Sequence, residues 1–269
     1  MVEFFESIPE HLIKWILKQQ VFWVATAPLT ADGHINLSPK GVEGSFNIIN
    51  ANRVWYEDLS GSGAETIAHI RENGRITVLF NAFEGPPRIA RLFGRGTIHE
   101  FGTPEYDSYI PPETRKPGSR AVILIDVFKV STSCGYAVPF YKFTGHRSQL
   151  LELNARKEGL DRSAEEAAEA SGDPSSVQRA ERSLKRYWAE KNKYSLDGLP
   201  ELISAADSPK RFEECKTIFK KDDITQPRDG VNAAQFLKSF VDSKVLVGFF
   251  LGMLVTTVYV NKLARVTAV

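Results

Sequence analysis

The sequence predicts a mainly β (α+β) fold, an antiparallel barrel or sandwich with peripheral helices, a helical C-terminal extension and a terminal apolar helix. Three observations support this prediction. Apolar residues recur at the period of strands from Val21 to Pro139, and short turns separate the runs. Charged, alanine-rich segments typical of surface helices follow from about Gly145. An uncharged stretch then runs from Val245 to Val260.

A helix is predicted at the N-terminus, over residues 7–20. Ser7 and Glu10 have the spacing of a capping box, in which each satisfies a free backbone donor of the first turn. One apolar stripe follows at helical spacing, formed by Leu12, Ile13, Ile16 and Leu17.

Strands follow this helix. Asp32-Gly33 and Asn50-Ala51-Asn52 are turn signals between consecutive strand candidates. Residues 65–73 form a short helix in this prediction, because Ile67 and Ile70 lie on one helical face. The strand candidates, in chain order, are 21–27, 35–40, 45–49, 53–58, 75–82, 88–97 and 121–130. Several strands in sequence with short connections indicate an antiparallel barrel or sandwich.

The composition shifts mark four segments. We predict a barrel domain over 1–145, a charged helical extension over 146–221, a linker over 222–243 and a membrane anchor over 244–262. Within the extension, Gly172-Asp173-Pro174 interrupts the helical pattern.

The apolar run from Val245 to Val260 is predicted to anchor the chain in a membrane. As a helix it would be ~24 Å long, which is short of the ~30 Å core of a typical bilayer. Lys244 and Lys262 flank it and can extend to the interface. The alternative is a buried core helix. With no signal peptide in view, we expect a tail-anchored protein on the cytosolic face of an intracellular membrane, otherwise cytoplasmic.

The overall charge and the cysteines exclude several classes of site. The chain has 34 basic and 33 acidic residues among 269, a formal net charge of +1, so charge gives no reason to expect nucleic acid. Cys134 and Cys215 are far apart and form no CxxC or Cys/His cluster. We therefore expect no metal site and no disulfide framework. We find no motif that assigns catalytic side chains.

The loop 59–66 is the first candidate site, because it follows a strand and precedes a helix. Its glycines allow a close backbone approach. The hydroxyls of Ser60 and Ser62 and the helix N-terminus suit a phosphate. The alternative is a plain capped loop, in which Glu65 satisfies the helix dipole without a ligand.

The strand 88–96 is the second candidate. Arg91 and Arg95 share one of its faces with Ile89 and Phe93. Arginines in this arrangement suit an anionic cofactor or carboxylates of a second subunit. A solvated strand edge is the alternative.

In order along the chain, several segments resemble the FMN-binding split-barrel family of pyridoxamine 5′-phosphate oxidase-like proteins. The resemblance covers roughly residues 5–145. Its matching segments are 22–27, 32–36, 38–41, 54–56, 66–80 and 91–96, and a branch of the family also has 84–88 and the CGYAVP motif at 134–139.

The resemblance implies a six-stranded antiparallel split barrel, a homodimer, and FMN bound at the dimer interface. It places one FMN contact at Lys40, where members often have a basic residue on the flavin phosphate. Together with the residues of the two candidate sites, this gives Lys40, Ser60, Ser62, Thr66 and Arg91 as the expected FMN contacts.

This sequence departs from the true oxidases at the phosphate. A Ser-Arg-Lys run of the family corresponds here to Ala64, Glu65 and Thr66, and Ile35 stands where an arginine is usual. Losing one charge-assisted hydrogen bond costs roughly 1.5–3 kcal/mol. We therefore do not expect oxidation of vitamin B6 compounds.

Three hypotheses follow from the sequence. The first is a flavin-dependent, oxidoreductase-like protein with an unassigned substrate. The second is a non-catalytic split barrel that has lost the flavin and acts as a membrane-tethered interaction module. The third is another planar cofactor, haem or a deazaflavin, in the same cleft. Fold alone does not decide among them.

Overall fold

The computed structural model describes residues 2–172 and 180–215. In these residues one sheet of eight strands is accompanied by five α-helices. The strands are β1 (Glu3–Phe5), β2 (Phe22–Thr26), β3 (Asn36–Lys40), β4 (Phe46–Asn50), β5 (Arg53–Leu59), β6 (Arg75–Asn81), β7 (Ile89–Glu100) and β8 (Ser119–Ser133). The helices are α1 (Glu10–Ile16), α2 (Glu65–Asn73), α3 (Pro104–Tyr109), α4 (Gln149–Ala170) and α5 (Leu184–Lys191).

All the strand pairs are antiparallel, in the order β3-β2-β6-β7-β8-β5-β4, and β1 pairs with β8. The sheet curls so that its two ends approach each other. Phe22 and Phe80 from one end meet Phe46 and Tyr56 from the other, with ring centroids 5.0–5.5 Å apart. The gap between the edge strands β3 and β4 makes this a split barrel. The antiparallel sheet and the helices confirm the predicted antiparallel β fold with helices.

The predicted number of strands and the predicted helix start need correction. The sheet has eight strands, where the resemblance implies six and the sequence pattern gives seven candidates. The strand that was not predicted, β1, is only three residues long, too short to show an alternating pattern. The first helix spans Glu10–Ile16 and not 7–20. Pro9 is its N-cap, and no side chain caps it, so Ser7 does not form the predicted capping box.

The helix α2 packs against β2, β6 and β7. Gly96 on β7 is needed for this contact, because a Cβ atom there would lie 2.9 Å from the Ile70 side chain. The packing fixes the N-terminus of α2, and with it the loop 60–64, against the sheet.

The extension folds onto the barrel. Leu184, Trp188 and Phe212 belong to the same core cluster as the strands, and Phe101 at the end of β7 contacts both aromatic rings. The boundary placed at residue 145 stays a prediction, but residues beyond it complete the barrel core.

None of the helices in 2–172 and 180–215 has the length and apolar character needed to cross a membrane. The predicted linker 222–243 and anchor 244–262 lie outside the described residues.

Candidate functional site

Lys40, at the end of β3, points into the barrel and not outward. It pairs across the strands with Phe22, whose ring is in the core, and paired residues share one face of a sheet. Its ammonium donates to Asp58 Oδ1 at 2.8 Å and lies 6.0 Å from the centre of the Tyr56 ring. The lysine that was predicted to bind the phosphate is therefore already paired with the Asp58 carboxylate.

Asp58 is shared with a second cation. Arg120 Nε donates to Asp58 Oδ2 at 2.8 Å, and Nη2 donates to the carbonyl of Gly63 at 2.9 Å. Arg120 Nη1 lies 2.6 Å from Glu201 Oε1 in the extension. We call Lys40, Asp58, Arg120 and Glu201 the inner ion network.

The two carboxyl groups of this network differ in pKa. Burial alone would raise the pKa of Asp58, but Lys40 and Arg120 outweigh it and hold this pKa below its usual value. Burial raises the pKa of Glu201 to about 8, against the opposing charge of Arg120 and with a further contribution from Asp58. Protonated Glu201 leaves Asp58 as the principal counter-charge for both cations.

Ser60 is buried, and its hydroxyl is fully engaged. It donates to the carbonyl of Gly118 at 2.7 Å and accepts the indole N–H of Trp188 at 2.6 Å. This serine therefore fastens the loop to β8 and to α5, and its hydroxyl does not face a ligand. Ser62, by contrast, is exposed.

Glu65 occupies the N-terminus of α2. One carboxylate oxygen accepts the N–H of Ala64 at 3.0 Å, and the other accepts the N–H of Leu196 at 3.4 Å. This is the arrangement of the plain capped loop considered from sequence. A negative charge thus stands where a phosphate was expected.

Thr66 takes part in a buried polar cluster. Its hydroxyl accepts from the Asn36 amide at 2.9 Å, and the same amide donates to Thr26 at 3.1 Å. The Thr26 hydroxyl lies 3.0 Å from Nδ1 of His69, whose pKa is lowered by burial. The cluster ties α2 to β2 and β3.

Arg91 lies on the opposite side of the sheet from Lys40. Its chain neighbours Ala90 and Leu92 are fully buried, so its side chain points outward from β7. It is partly buried, and within the described residues it makes no hydrogen bond or ion pair.

The neighbours of Arg91 toward β6 are apolar, whereas toward β8 it pairs with the buried Ser131. Cross-strand pairing places Leu79 beside Arg91, Trp23 beside Leu79, and Pro39 beside Trp23. Leu37 lies on the same side of β3 and is 65% exposed. These residues form what we call the outer face: Trp23, Leu37, Pro39, Leu79 and Arg91.

The five predicted ligands therefore do not converge within one subunit. Lys40, Ser60 and Thr66 serve internal contacts, whereas Ser62 and Arg91 are accessible on different parts of the surface. Sequence reasoning missed Asp58, Arg120 and Glu201, because nothing local shows that residues so far apart along the chain meet.

Cys215 and the acidic residues of the described ranges form no further candidate centre. Burial raises the pKa of Cys215 to about 11 although Arg115 lies beside it, so this thiol is not activated. Among residues 2–172 and 180–215, no three His, Cys, Asp or Glu side chains are grouped to hold a metal ion.

Comparison with known proteins gives the family. The sequence profile of pyridoxamine 5′-phosphate oxidase matches residues 8–134. The pyridoxamine 5′-phosphate oxidase family protein ustO of Aspergillus flavus is 40% identical over 207 residues, which cover 75% of this chain and 78% of that protein. The chain belongs to the pyridoxamine 5′-phosphate oxidase family.

Solved structures with this kind of fold are more distant. HupZ of Group A Streptococcus is 24% identical, with 46% of this chain and 91% of that chain covered and a TM-score of 0.38. A putative pyridoxamine 5′-phosphate oxidase from Listeria innocua is 16% identical, with 45% and 94% covered and a TM-score of 0.32. At these scores they add no argument to the one from sequence.

Proposed function

We propose that this chain is a flavin-binding, oxidoreductase-like protein that acts as a homodimer, with FMN held at the outer face. The observation that carries the proposal is Arg91, a partly buried guanidinium without a carboxylate partner in the described residues. Leaving a charge partly desolvated and unpaired is costly, and an anionic ligand removes that cost. The neighbouring Trp23 and Leu79 suit the apolar side of a flat ring system.

The loop 60–66 does not by itself fit a phosphate dianion. The charge of Lys40 is shared with Asp58, and the carboxylate of Glu65 lies at the helix N-terminus. The flavin proposal therefore rests on Arg91, with Ser62 as an accessible hydroxyl. Lys40, Ser60 and Thr66 shape the loop from inside.

The flavin and the chain would have the separate roles that they have in other flavoproteins. A bound flavin would supply the redox chemistry, and the chain supplies binding and orientation. Family membership supports this choice of cofactor.

A homodimer is proposed because the outer face is exposed and apolar. Leu37 and Pro39 lie on an edge strand with their side chains in solvent, and such patches usually mark interaction sites. A second subunit on this face would exclude water from the guanidinium of Arg91.

An FMN titration with a matched pair of variants tests the site. Arg91→Gln removes the cation that has no partner in the described residues. Arg95→Gln, on the same strand, is the control, because the Arg95 guanidinium already donates to the backbone carbonyl of Asn73. We expect Arg91→Gln to weaken FMN binding at least tenfold, since a charged hydrogen bond is worth roughly 1.5–3 kcal/mol. Arg95→Gln should bind as the parent does. Equal losses in both variants would contradict a specific role for Arg91.

The second candidate function is a cofactor-free split barrel that works as an interaction module. The specific observation in its favour is that Lys40, Ser60 and Thr66 are all engaged internally, with Glu65 at the helix end. A parent protein that takes up neither FMN nor another planar cofactor would favour this candidate over the first. For either function we propose attachment to a membrane through residues 244–262.

A further inference from the structure

A cavity of about 470 Å³ opens at one end of the barrel. It lies between the end of α1, the turn that joins β3 to β4, and the segment that follows β8. Its walls include Phe22, Phe46, Phe80 and Phe143, and His146 stands at the same opening. It does not include Arg91 or any residue of the outer face.

The inner wall of the cavity is a fixed set of aromatic rings. The centroids of Phe22 and Phe46 are 5.1 Å apart, and those of Phe46 and Phe80 are 5.0 Å apart. Phe22 and Phe80 are almost fully buried, so the core behind them holds them in place. Phe46 is partly accessible and presents most of the ring surface that reaches the cavity, while Phe22 and Phe80 support it from behind. Water gains few hydrogen bonds against this surface, and an apolar guest that displaces it there is favoured.

The opening of the cavity, unlike its inner wall, is lined by His146 and by the partly exposed Phe143. His146 Nδ1 lies 2.9 Å from the carbonyl of Gly41, and its ring is 4.8 Å from that of Phe143. This contact brings the Phe143 ring, which is 42% exposed, to the edge of the cavity. Phe143 can therefore cover one side of a guest without being part of the core.

The rim is polar and carries no net charge. Lys18 and Glu43 contribute one charge of each sign, and the amide of Gln20 is exposed beside them. An ion of either sign gains little at such a rim. A neutral hydrogen-bonding group can find both donors and acceptors there.

We propose that this cavity binds a neutral aromatic compound of one or two rings, with the rings against the phenylalanines and a polar substituent at the rim. Its volume lies within the range of about 300–1,000 Å³ that is usual for small-molecule sites. The site is separate from the outer face, so it is independent of FMN binding.

The test uses 2-naphthol, a fluorescent neutral compound of two rings with one hydroxyl group. The parent chain should bind it saturably, with one molecule per subunit. Phe143→Ala should weaken binding at least threefold. Phe140→Ala is the matched control, because Phe140 lies in the same segment, is 81% exposed and does not line the cavity.

A second variant, Val42→Trp, fills the opening from the turn side and should abolish 2-naphthol binding while FMN binding stays at the parent's level. Failure of the flavin proposal would leave this result unchanged. Absence of saturable binding by the parent would show that the cavity holds only water and overturn the proposal. Equal effects of Phe143→Ala and Phe140→Ala would overturn it too.

Discussion

The Asp58 carboxylate depends on two cations for its charge. It is completely buried, and Lys40 and Arg120 each hold one of its oxygens at 2.8 Å. A buried carboxylate without such partners costs several kcal/mol, because it loses its hydration. Lys40 therefore has a structural role in this subunit, and its contact with a ligand stays a prediction.

Lys40→Met tests this assignment. The variant leaves Asp58 with Arg120 alone, and we expect the free energy of unfolding in urea to fall by about 1–3 kcal/mol. Lys14→Met is the control. Lys14 is three-quarters exposed in an ion pair with Glu10, and losing such a pair costs at most about 1 kcal/mol. If both variants lose the same stability, Lys40 has no structural role in the network.

At the scale of elements, the extension is fastened to the barrel by buried polar groups. Glu100, at the end of β7, accepts the backbone N–H groups of Ile203, Ser204 and Ala205 at 2.6–2.8 Å. Arg71 on α2 donates to the carbonyl of Glu201 at 2.6 Å. These contacts hold Glu201 beside Arg120 within the inner ion network.

The raised pKa of Glu201 gives the stability of the fold a defined pH dependence. The folded carboxyl titrates at about 8, and its ordinary value is 4.5. The folded state thus binds this proton more tightly. The contribution of Glu201 to the free energy of unfolding is complete when the pH is below its ordinary pKa. It is lost as the pH rises to about 8, at up to about 1.4 kcal/mol per pH unit.

Glu201→Gln should flatten this dependence, because the amide does not titrate. The measurement is the free energy of unfolding in urea from pH 5 to pH 8. Glu190→Gln on the exposed side of α5 should keep the slope of the parent. A parent whose stability rises steadily over this range would contradict the argument.

The sequence predicted the local elements better than the contacts between them. The helix 65–73 was predicted with the bounds that the structure gives, since its apolar spacing is a local signal. β5 was predicted within one residue, since the Asn50-Ala51-Asn52 turn before it is a local signal too. The contact of Trp188 with Ser60 joins residues 128 apart along the chain, and no local pattern encodes it. The charged character of α5 also hid a buried face that includes Leu184 and Trp188.

At the scale of the whole molecule, the predicted anchor should place the protein at a membrane. Deleting residues 244–269 should move the protein from the membrane fraction to the soluble fraction, because no other predicted segment can span a bilayer. Leu251→Arg is the matched point variant, since a charge in the middle of a spanning helix is costly, by about 2.5–3.5 kcal/mol on insertion scales. An unchanged distribution on fractionation would show that the stretch does not anchor the chain.

The whole fold separates two sides of one sheet. The inner side holds the inner ion network and the cavity. The outer side presents Arg91, which has no partner among the described residues, next to the apolar side chains of the outer face. The proposed flavin site belongs to the outer side and requires a second subunit to cover it.

The visible absorption spectrum of the freshly purified chain tests the flavin claim most directly. We predict the two visible bands of oxidised flavin in the parent, strongly reduced in Arg91→Gln purified in parallel. A colourless parent that also takes up no added FMN would contradict the account.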